Sequence, residues 1–185
     1  MIEFLKSLQL LSDDELRHFE RLIQLKELKK GDFLIQQGQI CSEVVLIKSG
    51  VLRSFWINSE GDELTNCFAF EGDWMTAFSS FITQQPTDEY IQAMSKSELW
   101  VLKKTEMEIL YEQKGVWQKI GRLLTEFQYI ALEKRLVSFQ KQSAKQRYED
   151  LVEHYPNYIS QIPLQYLASY LGITPRHLSR IRRGL

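Results

Sequence analysis

Apolar positions along this chain change their period three times. Leu16, Phe19, Leu22 and Ile23 recur at helical spacing behind Ser12-Asp13-Asp14-Glu15, a capping-box pattern, and predict an amphipathic helix. From Leu25 to about Leu102 the pattern becomes one of short strands. The runs are Phe33-Leu34-Ile35, Val44 to Ile47, Val51 to Ile57, Leu64 to Ala69, Tyr90 to Ala93 and Glu98 to Leu102. Glycine turns punctuate them, at Gly31, Gly38, Gly50, Gly61 and Gly72. Several short strands at such spacing predict a double-sheet roll or barrel. Thr105 and Glu108 then suggest a second capping box, opening another helix.

From about Val116 the chain reads as a long helix, with no glycine soon after Gly121. Trp117, Ile120, Leu124, Phe127 and Ala131 step by three and four along one stripe. Leu123, Ile130 and Val137 repeat every seven residues on an adjacent stripe. Two stripes call for two apolar neighbours: the roll, and the same helix of a second subunit. The alternative is a helix wholly buried in one domain. Ser143 to His154 reads as a further helix, capped by Ser143 with Gln146, and Tyr155-Pro156-Asn157 breaks it.

The last segment, Ile162 to Arg183, predicts two short helices joined by a tight turn. Pro163 suits a first helical turn, Ala168 lets crossing helices approach, and Gly172 can take a positive φ. Thr174-Pro175 is a helix start, a hydroxyl cap followed by proline. Leu167, Leu171, Ile173, Leu178 and Ile181 form the apolar wedge. The second helix carries Arg176, Arg180, Arg182 and Arg183 and no acid. Together these features read as a helix-turn-helix whose second helix faces a polyanion, against the plainer option of a terminal αα-hairpin with solvated arginines.

Charge sharpens that choice. The 185 residues have a formal net charge of −1, yet residues 141–185 hold seven Lys/Arg against three Asp/Glu. A basic tail on an acidic body is the asymmetry of a nucleic-acid reader joined to another module. The opening residues carry neither a secretory pattern nor a membrane span, and Cys41 and Cys67 form no ligand cluster. Free thiols in a cytoplasmic protein without a metal or cofactor are therefore expected. An enzyme on a metal-dependent roll needs converging histidines, but His18, His154 and His177 all lie outside the strand region. Nucleophile elbows and phosphate-binding glycine loops are missing from the sequence too. The chain is read as a non-enzyme.

The order of these elements resembles the Crp/Fnr family, the catabolite-activator-like regulators. Ile47 to Arg53, Phe70-Glu71-Gly72-Asp73-Trp74 and Leu167 to Ile181 carry the resemblance. It implies an α+β chain: a double-stranded β-helix (jelly-roll) sensor at 1–115, a dimerisation helix at 116–142, and an all-α, winged-helix-like DNA-binding domain at 143–185. Any wing beyond the second helix is expected to be short or absent. The family implies a homodimer on a palindromic site in double-stranded DNA, with RNA polymerase as a possible further partner. Ile120, Leu123, Leu124, Phe127, Ile130 and Ala131 are the expected dimer contacts.

Members that bind cyclic AMP place a glutamate after the Gly-Asp segment and an Arg-Ser/Thr pair some ten residues later. Here Ala77 stands at the first position and Thr87-Asp88 at the second. A desolvated phosphate needs a cation, and Asp88 and Glu89 would repel it. The sensor is read as degenerate, either a scaffold alone or a pocket for an apolar or cationic effector near Trp56, Phe68, Trp74, Phe78 and Phe81. In the reading helix, Arg180 is the candidate for a bidentate guanine contact. Arg176 replaces the family's cytosine-reading glutamate, and His177 is either a base contact or a packed side chain. Thr174 and Ser179 are candidate phosphate or auxiliary contacts, and Arg182 and Arg183 candidate phosphate contacts. The competing reading is a protein-interaction or ligand-sensing roll with a vestigial DNA-binding tail.

Overall fold

The computed structural model describes residues 5–6, 8–113 and 115–184; residues 1–4 of the opening segment and Leu185 lie outside them. The chain divides into two compact units, Met1–Trp56 with Phe68–Gly121, and Ile57–Cys67 with Arg122–Leu185.

The first unit begins with α1 (Asp13–Leu22), where Ser12 and Glu15 form the reciprocal capping box and Leu16 and Phe19 are buried. Eight strands follow: β1 (Gln24–Leu28), β2 (Phe33–Ile35), β3 (Glu43–Ser49), β4 (Leu52–Ile57), β5 (Glu63–Ala69), β6 (Trp74–Met75), β7 (Tyr90–Ala93) and β8 (Ser97–Lys103). They form two four-stranded sheets, ordered β1-β8-β3-β6 and β2-β7-β4-β5. The runs of non-consecutive neighbours are those of a roll, since each sheet takes strands from both ends of the segment. In the first sheet Val45 faces Val101 and Ile47 faces Leu99, and all four are buried. In the second, Leu52 and Ile91 are fully buried on alternating positions of β4 and β7. Gly50 joins β3 to β4 at φ +94°, where a Cβ would lie 2.3 Å from the Ser97 hydroxyl. Only glycine fits there.

Apolar periodicity missed three pieces of this unit. β1 and β6 are short edge segments, and α2 (Phe78–Thr83) lacks a side-chain cap and ends at Gln84 in the left-handed region. The expected cap at Thr105 does not form. α3 (Lys104–Gln113) starts one residue earlier, and the Thr105 hydroxyl bonds Glu106 instead. Trp117, near the start of α4 (Gly115–Lys141), stacks on Phe19 with ring centroids 5.3 Å apart.

The second unit contains the rest of α4, then α5 (Ala144–His154), α6 (Pro156–Gln161), α7 (Leu164–Tyr170) and α8 (Pro175–Arg182). Ser143 and Gln146 form the second capping box and fix the corner before α5. The break at Tyr155 is real, but Pro156 also opens α6, as proline at a first helical position does. Residues 63–67 of β5 belong to this unit too. There the Ser169 hydroxyl donates to the Glu63 carbonyl at 2.7 Å and accepts from the Thr65 N–H at 2.9 Å. Among the described residues no strand follows Lys103, and no helix is long and apolar enough to cross a membrane.

Candidate nucleic-acid interface

Helix α7 stops where its sequence requires. The Ile173 N–H reaches back to the Ala168 carbonyl and the Gly172 N–H to the Ser169 carbonyl, both at 3.0 Å, with Gly172 at φ +69°. That is a Schellman stop, which satisfies carbonyls the helix end would otherwise leave open. Two residues on, the Thr174 hydroxyl accepts the His177 N–H at 3.2 Å and Pro175 occupies the first turn, so α8 starts at once. Leu167, Ala168, Leu171 and Leu178 are buried between the helices, and Ile181 is half-buried. The predicted wedge is therefore present, and Ala168 is the small residue at the crossing.

With Leu178 inward, the ~100° step of a helix puts Arg176, Arg180 and Arg183 within about 60° of one another on the opposite side. All three are exposed, as are Thr174, His177 and Arg182. Arg182 stands apart, beside Leu178 rather than on the arginine stripe. Ser179 is half-buried, which leaves it a smaller outward surface than the pattern suggested. None of the four guanidiniums has an ion-pair partner among the described residues. The result is a short convex ridge of unopposed cations over an apolar base, suited to a groove lined by phosphates.

The expected dimer helix needs one correction. Ile120 is only 4% exposed and belongs to the protomer's own core, so it offers a partner no surface. Its neighbour Trp117 has drawn that turn against Phe19. Leu123 and Leu124 are half-buried, whereas Phe127 (63% exposed), Ile130 and Ala131 lie open. A second open apolar stripe, Tyr129, Leu132 and Leu136, lies on the other side of α4. Its three-and-four spacing is the sequence signal for this second face.

In the roll, Ala77 is buried at the start of α2 and carries no polar atom. The Thr87 hydroxyl accepts the Glu89 N–H at 3.0 Å, Asp88 is exposed, and the Glu89 carboxylate takes a hydrogen bond from Ser54 on β4. From Gly72 to Glu89 the chain contains no lysine or arginine. This stretch therefore supplies no cation to a cyclic phosphate, which must find one, or several donors, when it leaves water. Nor do the five aromatic residues share one environment. Phe68 and Phe81 are core, Trp74 is half-buried, and Trp56 and Phe78 are exposed. Both cysteines are free thiols, and no cluster of His, Cys, Asp or Glu suited to a metal occurs among the described residues.

An antiparallel roll, a 27-residue helix and a helix-turn-helix define a class of two-part chains in which a sensor-type roll precedes a DNA-reading fold. Comparison with known proteins agrees. Residues 25–114 match the model of the cyclic nucleotide-binding domain. The fumarate and nitrate reduction regulatory protein of Vibrio cholerae serotype O1 is 25% identical over 187 residues, covering 92% of this chain and 72% of that protein. The structure of FixK2 from Bradyrhizobium japonicum superposes with a TM-score of 0.78 at 14% identity, over 88% of this chain and 84% of that one. A crp/fnr-family regulator from Eubacterium rectale gives 0.71 at 20% identity, over 94% and 83%. In sequence and fold the chain is similar to members of the Crp/Fnr family.

Proposed function

We propose that this protein is a transcription regulator that binds palindromic double-stranded DNA as a homodimer. The carrying observation is the ridge of Arg176, Arg180 and Arg183, exposed and unopposed on a helix capped and wedged in the reading position of a helix-turn-helix. Arg180 reads a guanine edge. Arg176 contributes a second donor where an acceptor is usual in the family, so the preferred site differs from one chosen by a glutamate. Thr174, Ser179, Arg182 and Arg183 hold phosphates, and His177 sits at the edge of the contact.

Dimerisation is supported by the open stripe of Phe127, Ile130 and Val137, which a solitary protomer would leave in water. Two parallel copies of α4 meeting along it would present two reading helices to successive grooves. The roll contributes no cyclic AMP site on this reading; its role is to carry α4 and offer surface to the transcription machinery. No catalytic step is assigned.

Selection of bound duplexes from a random pool tests all of this. The expected result is a two-fold-symmetric motif enriched by the protein alone and unchanged by cyclic AMP. An asymmetric motif would remove the dimer, enrichment only with cyclic AMP would remove the degenerate sensor, and no enrichment would remove DNA reading.

A further inference from the structure

We infer that Arg135 and Arg147 are positioning residues for DNA reading: they lock the helix-turn-helix onto the end of α4 at one angle. The inference rests on the DNA-binding reading above.

Both side chains act on the start of the interhelical turn, at the carbonyls of Tyr170 and Leu171. Arg135, on α4, donates to the Tyr170 carbonyl at 3.1 Å and to the Thr65 carbonyl at 3.4 Å. Its guanidinium lies 4.0 Å from the centroid of the Tyr170 ring and 5.0 Å from that of Phe139. Arg147, on α5, covers Phe139 at 4.7 Å. It donates twice to the Leu171 carbonyl, at 3.0 and 3.3 Å, and once to the Gln142 carbonyl at 2.7 Å. Gln142 is the joint between α4 and α5, and Leu171 caps α7. One guanidinium therefore ties the joint to the turn.

The stack runs Tyr170, Arg135, Phe139, Arg147, alternating ring and cation. An arginine can present its flat face to a ring while its edge donates to carbonyls, which an ammonium cannot do. Two of the accepting carbonyls, those of Tyr170 and Leu171, lie at the negative end of α7, where a cation is favoured. Phe139 also touches the turn: a Cβ on Gly172 would lie 2.7 Å from its Cε1 atom. Residues 122–155 contain no glycine or proline, and the Ser143 capping box holds the corner between the helices. The orientation of α8 relative to α4 is thus fixed by side chains of this chain alone.

A fixed angle matters for two half-sites but not for one. The test compares the full-length protein with Arg135→Gln, Arg147→Gln and, as a milder perturbation, Phe139→Leu. Each is titrated by fluorescence anisotropy against the duplex selected by the wild type, the same duplex with its half-sites moved by one or two base pairs, and a single half-site. The expected result is half-site binding within about twofold of wild type, a loss on the order of tenfold or more on the full site, and a flattened dependence on spacing. Equal losses on half-site and full site overturn the inference, since that is what damage to the reading unit itself would give. Unchanged affinity and spacing preference in all three variants also overturn it. Failure of the wild type to bind any duplex would instead remove the DNA-binding reading on which it stands.

Discussion

Replacement of Gly172 by alanine perturbs the turn in two separable ways. The residue sits at φ +69°, where an L side chain costs about 1–2 kcal/mol. Its new Cβ would also lie 2.7 Å from Phe139 Cε1, so the ring must leave its well, at about 0.5–1.5 kcal/mol. The expected total is a loss of ~2–3 kcal/mol. All four tryptophans, Trp56, Trp74, Trp100 and Trp117, belong to the first unit, whereas most of the helix belongs to the second. Urea unfolding followed by circular dichroism at 222 nm should therefore shift to lower denaturant, while the tryptophan fluorescence transition stays in place. Gly172→Asn should lose less, because asparagine tolerates the left-handed region. Phe139→Leu combined with Gly172→Ala should cost less than the two changes summed, by about 1 kcal/mol, because the smaller side chain removes the collision. A loss below about 0.5 kcal/mol for Gly172→Ala, or strict additivity in the double variant, would refute this account of the turn.

Three further outcomes are expected. Arg180→Ala should lower discrimination at one base pair per half-site by ~1–3 kcal/mol, whereas Arg183→Ala should weaken all sequences alike and reduce the slope of log affinity against log salt by about one; competition binding at several salt concentrations separates the two. Phe127→Asp should leave the circular dichroism spectrum intact, since the side chain is exposed in the protomer, and shift sedimentation to that of a monomer; an unchanged dimer would place the interface elsewhere. Asp73 is an exposed residue whose carboxylate accepts the Phe70 N–H at 2.8 Å; partial desolvation of that carboxylate raises its pKa and outweighs the bond. The folded state thus holds this proton more tightly than the unfolded one, so its contribution is fully present below the ordinary carboxylate range and is lost as pH rises through the elevated value. Asp73→Asn should remove that fall, so that across this window the urea midpoint of the variant gains on that of the wild type as pH rises, and a difference that shrinks with rising pH would contradict the assignment.

Local chemistry made much of this fold legible. The serine caps at Ser12 and Ser143, the strand runs and the turn at Gly172 each depend on interactions within a few residues, and each is found where the sequence placed it. Pro156 was ambiguous because proline both ends one helix and begins the next, and only the second meaning reveals α6. Ile120 followed the right periodicity to the wrong neighbour: its spacing matches Phe127, but Phe19 and Trp117 lie beside that turn of α4. The arginine ridge could be read from helical geometry alone. Arg135, Phe139 and Arg147 could not, because the contacts that give them a role are to the Tyr170 and Leu171 carbonyls, 35 and 24 residues from the arginines that bind them.

The size of the reading element gives these hidden contacts their weight. Helix α8 has eight residues, and with its C-cap Arg183 it carries only three arginines on one stripe, so a single copy can touch few base edges. On the dimer reading, useful affinity comes from joining two weak contacts, and that gain exists only while both helices fit their grooves together. Each degree of freedom between α4 and α8 would erode it. On the reading proposed above no cyclic nucleotide sets this geometry, and the guanidinium stack supplies it from within. The prediction that separates this from a ligand-set geometry is direct: amide exchange at Tyr170 to Thr174 should be slow in the free protein and should not slow further when cyclic AMP is added. Fast exchange that only the nucleotide suppresses would return control of the reading helix to the roll.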